Sequence, residues 1–341
     1  MRLPSIVMGI GCAAMALVAV GMAAEAGKPL RAGMIGLDTS HVIAFAKILN
    51  DPKNAEELGV KVVAGFPGGS PDLPASWDRV KGYTEQLAKS GVEIVPSIEA
   101  MLPKVDVVLL ESVDGRPHLA QARPVIAAGK PLFIDKPMAA SLADVIAIFE
   151  LAKKAGVPCF SSSSLRYCPE ALAIRAGESP VGKPIRVLAS GPYNTEEHHP
   201  DLFWYGIHGV ELLYTIMGVG CQSVRREAPD RVVGQWPEGR TGIYQGSKSY
   251  FAEVEGTQGK TKVSKYPGYE PLVRDICKFF KTGQPPVAAE ETIEIFAFME
   301  AADESKRLGG APVTIESVLK KARAEAAKRM MGSSVQPGQS R

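Results

Sequence analysis

The stretch 31–51, "RAGMIGLDTSHVIAFAKILND", contains a short apolar strand, a glycine, a tight turn and an amphipathic helix. Gly36 stands where the first glycine of a Gly-x-Gly-x-x-Gly turn ends its strand, and a helix with one apolar face follows. Asp38 and His41 occupy the positions of the second and third glycines. The stretch therefore predicts the opening of a dinucleotide-binding domain with an altered phosphate turn.

The altered turn leaves two interpretations open. The turn binds a phosphate at the helix N-terminus, or Asp38, Thr39 or Ser40 caps the helix and occupies the amide groups that a phosphate needs. The acidic residue expected at the end of the second strand is also missing, because that strand runs into "FPGGSPDLPASWDR". The sequence therefore does not distinguish NAD from NADP.

Short Val-, Ile- and Leu-rich runs alternate with helical patterns from Leu30 to about Ser164. Several runs, such as "VDVVLLES" and "PLFID", are continuously apolar, as strands covered on both faces are. In "SLADVIAIFELAKKAG", Ser141 with Asp144 is typical of a helix start and Gly156 of a helix end. The alternation predicts an α/β fold with a Rossmann-type doubly wound parallel sheet, whose ligands bind at the carboxyl ends of the strands.

The pattern changes after about Ser164. "KPIRVLASG", "TGIYQGSKSYFAEVEG" and "KTKVSKY" are typical of strands joined by Gly-rich turns, which predicts an α+β domain with an open, mostly antiparallel sheet. Three helices are expected near 268–282, 289–308 and 315–329. The predicted division is a first domain over 28–160, a second domain over 161–330 and a disordered tail over 331–341.

Composition and the amino end bound the class of protein. The chain has 341 residues, 45% of them hydrophobic, and a formal net charge of +2, which favours two soluble domains and gives no indication of a nucleic-acid-binding surface. Residues 1–26 carry Arg2, an uncharged run and a small-x-small site, so we interpret them as a cleaved Sec-type signal peptide. An uncleaved membrane-anchoring helix is the alternative. The expected location is periplasmic or extracellular.

The sequence contains two sets of potential metal ligands. The four cysteines beyond the signal form no Cys-x-x-Cys pair, so buried apolar cysteines are expected, with one disulfide left open. The segment "EEHHPD" supplies carboxylates and imidazoles suitable for a divalent metal, with His208 beyond it. Adjacent histidines point apart in an extended loop, so we expect a solvated loop at the cleft and no metal. The ligands considered in that segment were Glu196, Glu197, His198, His199 and Asp201.

Lys136 follows an apolar strand in "PLFIDKP", which places a lysine at the carboxyl edge of the predicted sheet. An isolated Lys-Pro turn is ordinary surface structure, but further motifs follow in order. They are His118 in "ESVDGRPH", Arg166-Tyr167-Cys168-Pro169, "WYGIHGVELLYTIMG" and the closing helices from "FFKTGQPP" onward. Together these motifs resemble the glucose-fructose oxidoreductase, inositol dehydrogenase and rhizopine-catabolism (Gfo/Idh/MocA) family, over about residues 30 to 318.

The resemblance implies an NAD(P)-dependent oxidoreductase that acts on a sugar, polyol or related hydroxy compound by hydride transfer. In the family helix Asp-x-Gly-x-His-x-x-Asp, Gly206 and His208 match, Glu211 replaces the second Asp and Trp204 the first. The catalytic residues implied are Lys136, His208 and Asp135. The cofactor-binding residues implied are Gly36, Asp38, Thr39, Ser40, His41, Glu111, His118, Lys136 and Arg166. The substrate-binding residues implied are Tyr167, Trp204 and His199.

Histidine suits proton transfer at the hydroxyl because its pKa lies near neutrality, and a lysine stabilises a developing alkoxide. With Trp204 in place of an acid, His208 lacks the family partner that would set its tautomer. Two alternatives remain: an exported carbohydrate-binding protein without redox activity, and a non-redox glycosidase or lyase that uses NAD. A homo-oligomer formed through the second sheet is also expected.

Overall fold

The computed structural model describes residues 28–331. The first domain is a parallel sheet of six strands in the order β3-β2-β1-β4-β5-β6, with helices on both faces. Its elements are β1 (Leu30–Ile35), α1 (Ser40–Leu49), α2 (Ala55–Leu58), β2 (Val60–Phe66), α3 (Pro74–Lys89), β3 (Glu93–Ile94), α4 (Ile98–Met101), β4 (Val107–Leu110), α5 (His118–Ala127), β5 (Leu132–Ile134), α6 (Leu142–Ala155) and β6 (Cys159–Ser161). This order is that of a Rossmann fold, so the predicted fold class is confirmed.

Local sequence explains these elements. Every residue of β4 and β5 is buried, which accounts for their continuously apolar sequences. The helix α6 starts where Ser141 Oγ accepts a hydrogen bond from the backbone N–H of Asp144 at 3.1 Å, and it ends at Gly156 with φ 68°. Both signals were read from the sequence. The helix α6 connects the end of β5 to the start of β6 and leaves the carboxyl end of β5 accessible to a ligand.

The second domain is a seven-stranded sheet in the order β12-β11-β7-β10-β9-β8-β13. The pair β10–β7 is parallel and the other pairs are antiparallel, as expected for a mostly antiparallel sheet. Its elements are α7 (Pro169–Arg175), β7 (Pro184–Gly191), α8 (Asp201–Trp204), α9 (Gly206–Met217), β8 (Ser223–Ala228), β9 (Arg231–Gln235), β10 (Thr241–Gly246), β11 (Phe251–Gly256), β12 (Gly259–Val263), α10 (Glu270–Thr282), α11 (Ala289–Arg307), β13 (Val313–Thr314) and α12 (Ile315–Met331).

The two domains share helices. Leu272, Ile276 and Phe279 of α10 are buried in one apolar cluster with Phe133 and Phe160 of the parallel sheet. The helix α12 packs against α6 of the first domain. The sequence prediction assigned both helices to the second domain. In the structure both helices pack against the first domain, whose sheet and helices cover their apolar faces.

Some sequence predictions concern residues outside 28–331. The signal peptide over 1–26 and most of the tail over 331–341 lie beyond the described range. Within that range no helix is long and apolar enough to cross a membrane. The four described cysteines are free and buried, as expected for small apolar residues. They are Cys159, Cys168, Cys221 and Cys277.

Candidate active site

A cavity of about 440 Å³ opens at the carboxyl edge of the parallel sheet, between the two domains. The first domain lines it with the start of α1, with Arg79 of α3 and with Lys136. The second domain closes it with an imidazole and several aromatic rings: His208, Trp204, Tyr205, Tyr250, Tyr266 and Tyr269. The site therefore lies where ligands of doubly wound sheets bind.

The turn after β1 keeps the backbone of a dinucleotide turn. Gly36 has φ 81°, and a Cβ added there would lie 2.1 Å from the Oγ of Ser112. The position therefore requires glycine. The backbone N–H of Leu37 donates to the carbonyl of Pro67 at 2.7 Å, which fixes the turn against the loop after β2.

Asp38 turns its charge away from the cavity. Its side chain is buried and accepts hydrogen bonds from Ser76 Oγ at 2.6 Å and from the backbone N–H of Val113 at 2.9 Å. Burial raises the pKa of this carboxyl, and the two hydrogen bonds oppose the shift. Asp38 is not among the residues that line the cavity. The carboxylate of Asp38, at the position of the second glycine of the phosphate turn, is therefore directed away from the cavity.

Thr39 is the N-cap of α1, and its Oγ1 accepts from the backbone N–H of His41 at 3.4 Å. The capping interpretation of the turn is thus realised by Thr39 and not by Asp38. Ser40 and His41 follow on the same first turn, and all three residues line the cavity. The start of α1 therefore faces the site even though one of its amides is capped.

His41 connects the turn to the end of β5. Its Nδ1 lies 2.6 Å from Asp135 Oδ2, and both side chains are buried. Burial alone would raise the pKa of Asp135, but the charge and hydrogen bond of His41 outweigh it and lower the pKa. Glu111 at the end of β4 is fully buried and neither of its carboxylate oxygens has a partner. Burial, followed by the charge of Asp135, raises the pKa of Glu111 well above its usual range.

Lys136 follows Asp135 in the chain, at the carboxyl end of β5, and is followed by a cis peptide bond to Pro137. It lines the cavity, whereas Asp135 does not. The family resemblance implied a catalytic role for Asp135. The hydrogen bond of its carboxylate instead goes to His41, so Asp135 holds the first turn of α1 against β5 and acts on Lys136 through its charge.

His208 enters the cavity from α9, and only 8% of the residue is exposed. Its Nδ1 lies 2.7 Å from Ser163 Oγ, in the segment after β6. Burial, followed by the charge of Lys136, lowers the pKa of this imidazole well below its usual value. Ser163 thus supplies the partner that His208 lacks because Trp204 replaces the family acid. The ring of Trp204 lies against that of His199, with centroids 4.9 Å apart.

His118 and His199, which were expected to contact a ligand, do not line the cavity. The two ring nitrogens of His118 lie 3.0 Å from the carbonyl of Met138 and 2.9 Å from that of Ser112. The Nε2 of His199 accepts from the backbone N–H of Gly115 at 3.1 Å. These histidines position loops, so the sequence expectation of direct contacts is corrected.

Arg166 and Tyr167 are also removed from the cavity. Arg166 is buried between Glu211 at 2.6 Å and Glu291 at 2.9 Å, and Arg175 supplies a second positive charge to Glu291 at 2.6 Å. Tyr167 is 6% exposed and packs in the core of the first domain. Glu211, which replaces the second Asp of the family helix, therefore faces an internal ion pair rather than the ligand. Buried ion pairs of this kind also occur away from ligand sites, and their sequence signature is the same.

Two groups of side chains bring potential metal ligands within 4.8 Å of one another. One is the buried group His41, Glu111 and Asp135, in which His41 and Asp135 already share a hydrogen bond. The other is Glu196, Glu197 and His198 at the surface. The wider set considered from the sequence is not assembled. His199 is engaged with Glu196 and Gly115, Asp201 bonds Tyr193, Arg226 and Lys306, and His208 bonds Ser163.

Sequence reasoning missed the tyrosines and Ser163. Tyr250 precedes β11, and Tyr266 and Tyr269 lie between β12 and α10, far along the chain from the motifs. The Oγ of Ser164 lies 2.9 Å from the hydroxyl of Tyr266, which ties that segment to the loop after β6. The only available signal was the serine run "SSSS" at the carboxyl end of a predicted strand, where ligand-facing groups collect.

The residues of the cavity fit the phosphate and nicotinamide end of a dinucleotide. Among the described residues, none that lines the cavity is acidic, while Arg79, Lys136 and the N-terminus of α1 are directed to it. This donor set suits a diphosphate, and the lysine suits a carboxamide or an alkoxide oxygen. The side chain of Asp38 does not conflict with this fit, because it is turned away. The site is therefore that of a dinucleotide-binding α/β protein.

Comparison with known proteins finds a family match for the first domain. Residues 30–163 match the family described as "Oxidoreductase family, NAD-binding Rossmann fold". Over these residues of the first domain, the resemblance to the Gfo/Idh/MocA family noted in the sequence is confirmed. The cofactor class expected, a nicotinamide dinucleotide, is that of the family, without a distinction between NAD and NADP. No curated protein sequence matches the chain significantly.

Solved structures share the fold over both domains. A probable dehydrogenase from Thermotoga maritima is 22% identical with a TM-score of 0.67, over 85% of this chain and 100% of its own. A putative myo-inositol dehydrogenase from Sinorhizobium meliloti 1021 is 16% identical with a TM-score of 0.65, over 84% and 99%. An oxidoreductase from Agrobacterium radiobacter, in complex with NAD⁺, L-tartaric acid and magnesium, is 18% identical with a TM-score of 0.62, over 85% and 99%.

Proposed function

We propose that this protein is an NAD(P)-dependent dehydrogenase that acts on a sugar, polyol or related hydroxy compound. The observation that carries the proposal is the pairing of Lys136 and His208 in one cavity, each supplied by a different domain. The cavity lies at the carboxyl edge of a sheet whose family binds NAD. Oxidation of an alcohol requires a group that accepts the hydroxyl proton, and reduction of a carbonyl requires a group that donates a proton to the oxygen.

The chemistry divides between the parts of the cavity. A bound nicotinamide supplies the hydride acceptor or donor. Lys136 stabilises negative charge on the substrate oxygen through its ammonium group. His208, which burial keeps neutral at pH 7, forms the second hydrogen bond to that oxygen.

The walls of the second domain favour a carbohydrate-like substrate. Trp204, Tyr205 and Tyr250 line the cavity beside His208, and the ring centroids of Tyr205 and Tyr250 lie 6.1 Å and 5.6 Å from the imidazole. Aromatic faces pack against the C–H faces of sugar rings, and tyrosine hydroxyls bond sugar hydroxyls. The relatives described as inositol dehydrogenases support this substrate class.

The test is direct. The protein is purified, denatured, and its supernatant scanned for nicotinamide absorbance; the native protein is then titrated with NAD⁺, NADH, NADP⁺ and NADPH. We expect binding of one cofactor pair, and turnover of at least one member of a panel of sugars, polyols and sugar acids. Binding of none of the four refutes the proposal and leaves a carbohydrate-binding protein. Cofactor binding with no turnover of any hydroxy compound favours a glycosidase or lyase.

We also propose export and self-association. The interpretation of residues 1–26 as a Sec-type signal supports a periplasmic or extracellular location. Residues alternate between buried and exposed along β8 and β11, which leaves one face of the second sheet free to pair with another copy. Fractionation of cells tests the first proposal, and light scattering after size exclusion tests the second, where a monomer would contradict it.

A further inference from the structure

The hydroxyl of Ser163 has one proton to donate and lies buried between two partners. Its Oγ accepts from the backbone N–H of Leu165 at 3.2 Å and lies 2.7 Å from His208 Nδ1. Only 1% of Ser163 is exposed, so water does not complete its hydrogen bonds. Within residues 28–331 no other acceptor contacts this hydroxyl. A buried hydroxyl left without an acceptor is costly, so the proton of Ser163 is directed to His208.

That direction fixes the tautomer of the imidazole. A neutral imidazole has one donor nitrogen and one acceptor nitrogen. If Nδ1 accepts from Ser163, the ring proton is on Nε2. The Nε2 atom has no partner among the described residues, and His208 lines the cavity. The opposite tautomer would leave the Ser163 proton without an acceptor and would place a bare lone pair in the cavity.

We propose that Ser163 is a positioning residue that holds His208 as the Nε2–H tautomer, so that His208 donates a hydrogen bond to the substrate oxygen instead of removing its proton. The inference rests on the proposed function and deepens it, because it divides the work between the two groups of the cavity. On oxidation of an alcohol, the hydroxyl proton passes to Nζ of Lys136, and the ammonium group so formed stays hydrogen-bonded to the product oxygen. On reduction of a carbonyl, the Lys136 ammonium returns that proton while His208 polarises the oxygen.

This assignment reverses the role that the family resemblance suggested for His208. A histidine partnered by a carboxylate is held with its proton on the nitrogen that faces the acid, and its other nitrogen is a base. Here Trp204 occupies the acid's position in the sequence and a hydroxyl donor is the partner instead. A neutral imidazole that acts as a hydrogen-bond donor is an established way to polarise a carbonyl.

Nitrogen NMR of the purified protein tests the proposal without substrate or cofactor. The chain has five histidines, so ¹⁵N-histidine labelling gives a small set of signals, and a His208→Gln variant assigns those of His208. We expect, at neutral pH, a pyridine-type Nδ1 and a pyrrole-type Nε2 for His208. Ser163→Ala should shift both signals toward an average of the two tautomers, and Ser163→Thr, which keeps the hydroxyl, should restore the original pattern.

A pyrrole-type Nδ1 in the unsubstituted protein would overturn the proposal, as would a Ser163→Ala spectrum identical to it. If Ser163→Ala does not fold, the spectrum of the unsubstituted protein decides alone. These outcomes are distinct from failure of the proposed function. Absence of cofactor binding or turnover leaves the tautomer signals unchanged, whereas a pyrrole-type Nδ1 leaves a dehydrogenase in which His208 is the base.

Discussion

The carboxyl edge of the parallel sheet differs between its two halves. Beyond β5 and β6 it is an open cavity, lined by Lys136 and by groups of the second domain. On the Asp38 side of the turn after β1, and beyond β2, it is closed by side-chain bonds, with Ser76 donating to Asp38 and Arg116 making a two-pronged contact with Asp72 at 2.7 and 2.8 Å. The residues Thr39, Ser40 and His41 of the same turn lie on the open side and line the cavity. One half of the sheet edge is thus open to a ligand, and the side chains of the other half bond to one another.

The difference shows which part of a dinucleotide site depends on topology and which on side chains. Strand order alone brings the end of β5 and the turn after β1 to one edge. In the open half the polar groups, Lys136 and His208, face the cavity. In the closed half the carboxylate of Asp38 accepts its hydrogen bonds from groups inside the protein. The aspartate at the position of the second glycine therefore contributes to packing. The chemistry of this protein should therefore be sensitive to changes in the open half, and its stability to changes in the closed half.

The largest effect is expected for Lys136→Ala, in the open half. Removal of the group that carries charge at the reacting oxygen should lower kcat by about 10²- to 10⁴-fold. The fold should be retained, because Lys136 lines a cavity rather than the core. Steady-state kinetics and circular dichroism measure the two quantities. Lys153→Ala, an exposed lysine of α6, is the matched control, and a Lys136→Ala enzyme as active as this control would contradict the account.

Ser76→Ala, in the closed half, should destabilise the protein by about 1–3 kcal/mol, since it leaves a buried Asp38 oxygen without its donor. Denaturant unfolding gives the free energy. Ser90→Ala, at the exposed end of the same helix, is the control. If Ser76→Ala lowered kcat while its free energy of unfolding stayed equal to that of the control, the division between the two halves would be wrong.

Trp204→Ala should raise KM for a sugar by about tenfold or less, which corresponds to about 0.5–1.5 kcal/mol of aromatic contact, with a smaller change in kcat. Trp204→Phe should recover part of the affinity. Trp77, which is exposed on α3 outside the cavity, serves as the control when replaced by Phe. An unchanged KM in the Trp204→Ala variant would show that the ring of Trp204 does not contact the substrate.

The smallest effect is a pH-dependent change in Asp38→Asn. Burial raises the folded-state pKa of Asp38 above 3.8, so the ionised form destabilises the fold at neutral pH and the native state takes up the proton more readily than the unfolded chain. The amide variant should therefore have a higher Tm at pH 7. The difference should begin to shrink as pH falls to the folded pKa of Asp38 and vanish below the pKa of the unfolded chain.

Calorimetry at a series of pH values measures this difference. Asp78→Asn, at an exposed position of α3, controls for the loss of one carboxylate. A lower Tm of Asp38→Asn at pH 7 would mean that the ionised carboxylate stabilises the turn, contrary to the account.

The fold was predictable because its signals are local. Apolar runs gave the strands β4 and β5, and Ser141 and Gly156 gave the ends of α6. The helix α10 was also expected, near its observed bounds, but not its packing on the parallel sheet. That packing depends on which apolar face covers which, and the pattern of one segment does not contain this information.

The site was predictable only where a motif lies at a strand end. Lys136 and His208 line the cavity as their motifs indicated. Arg166 belongs to an equally recognisable motif, yet it pairs with Glu211 and Glu291 inside the protein. The partner of His208, Ser163, is 45 residues away in the chain and carries no distinctive spacing, so only the folded structure brings the two together.

The central claim is that the open half binds a nicotinamide beside Trp204 and His208. Titration with NADH and NADPH, with tryptophan excited and nicotinamide emission recorded, tests it most directly. We predict saturable energy transfer for one cofactor, strongly reduced in Trp204→Phe and retained in Trp77→Phe. Absence of saturable transfer with both cofactors, or equal transfer in both variants, would contradict the claim.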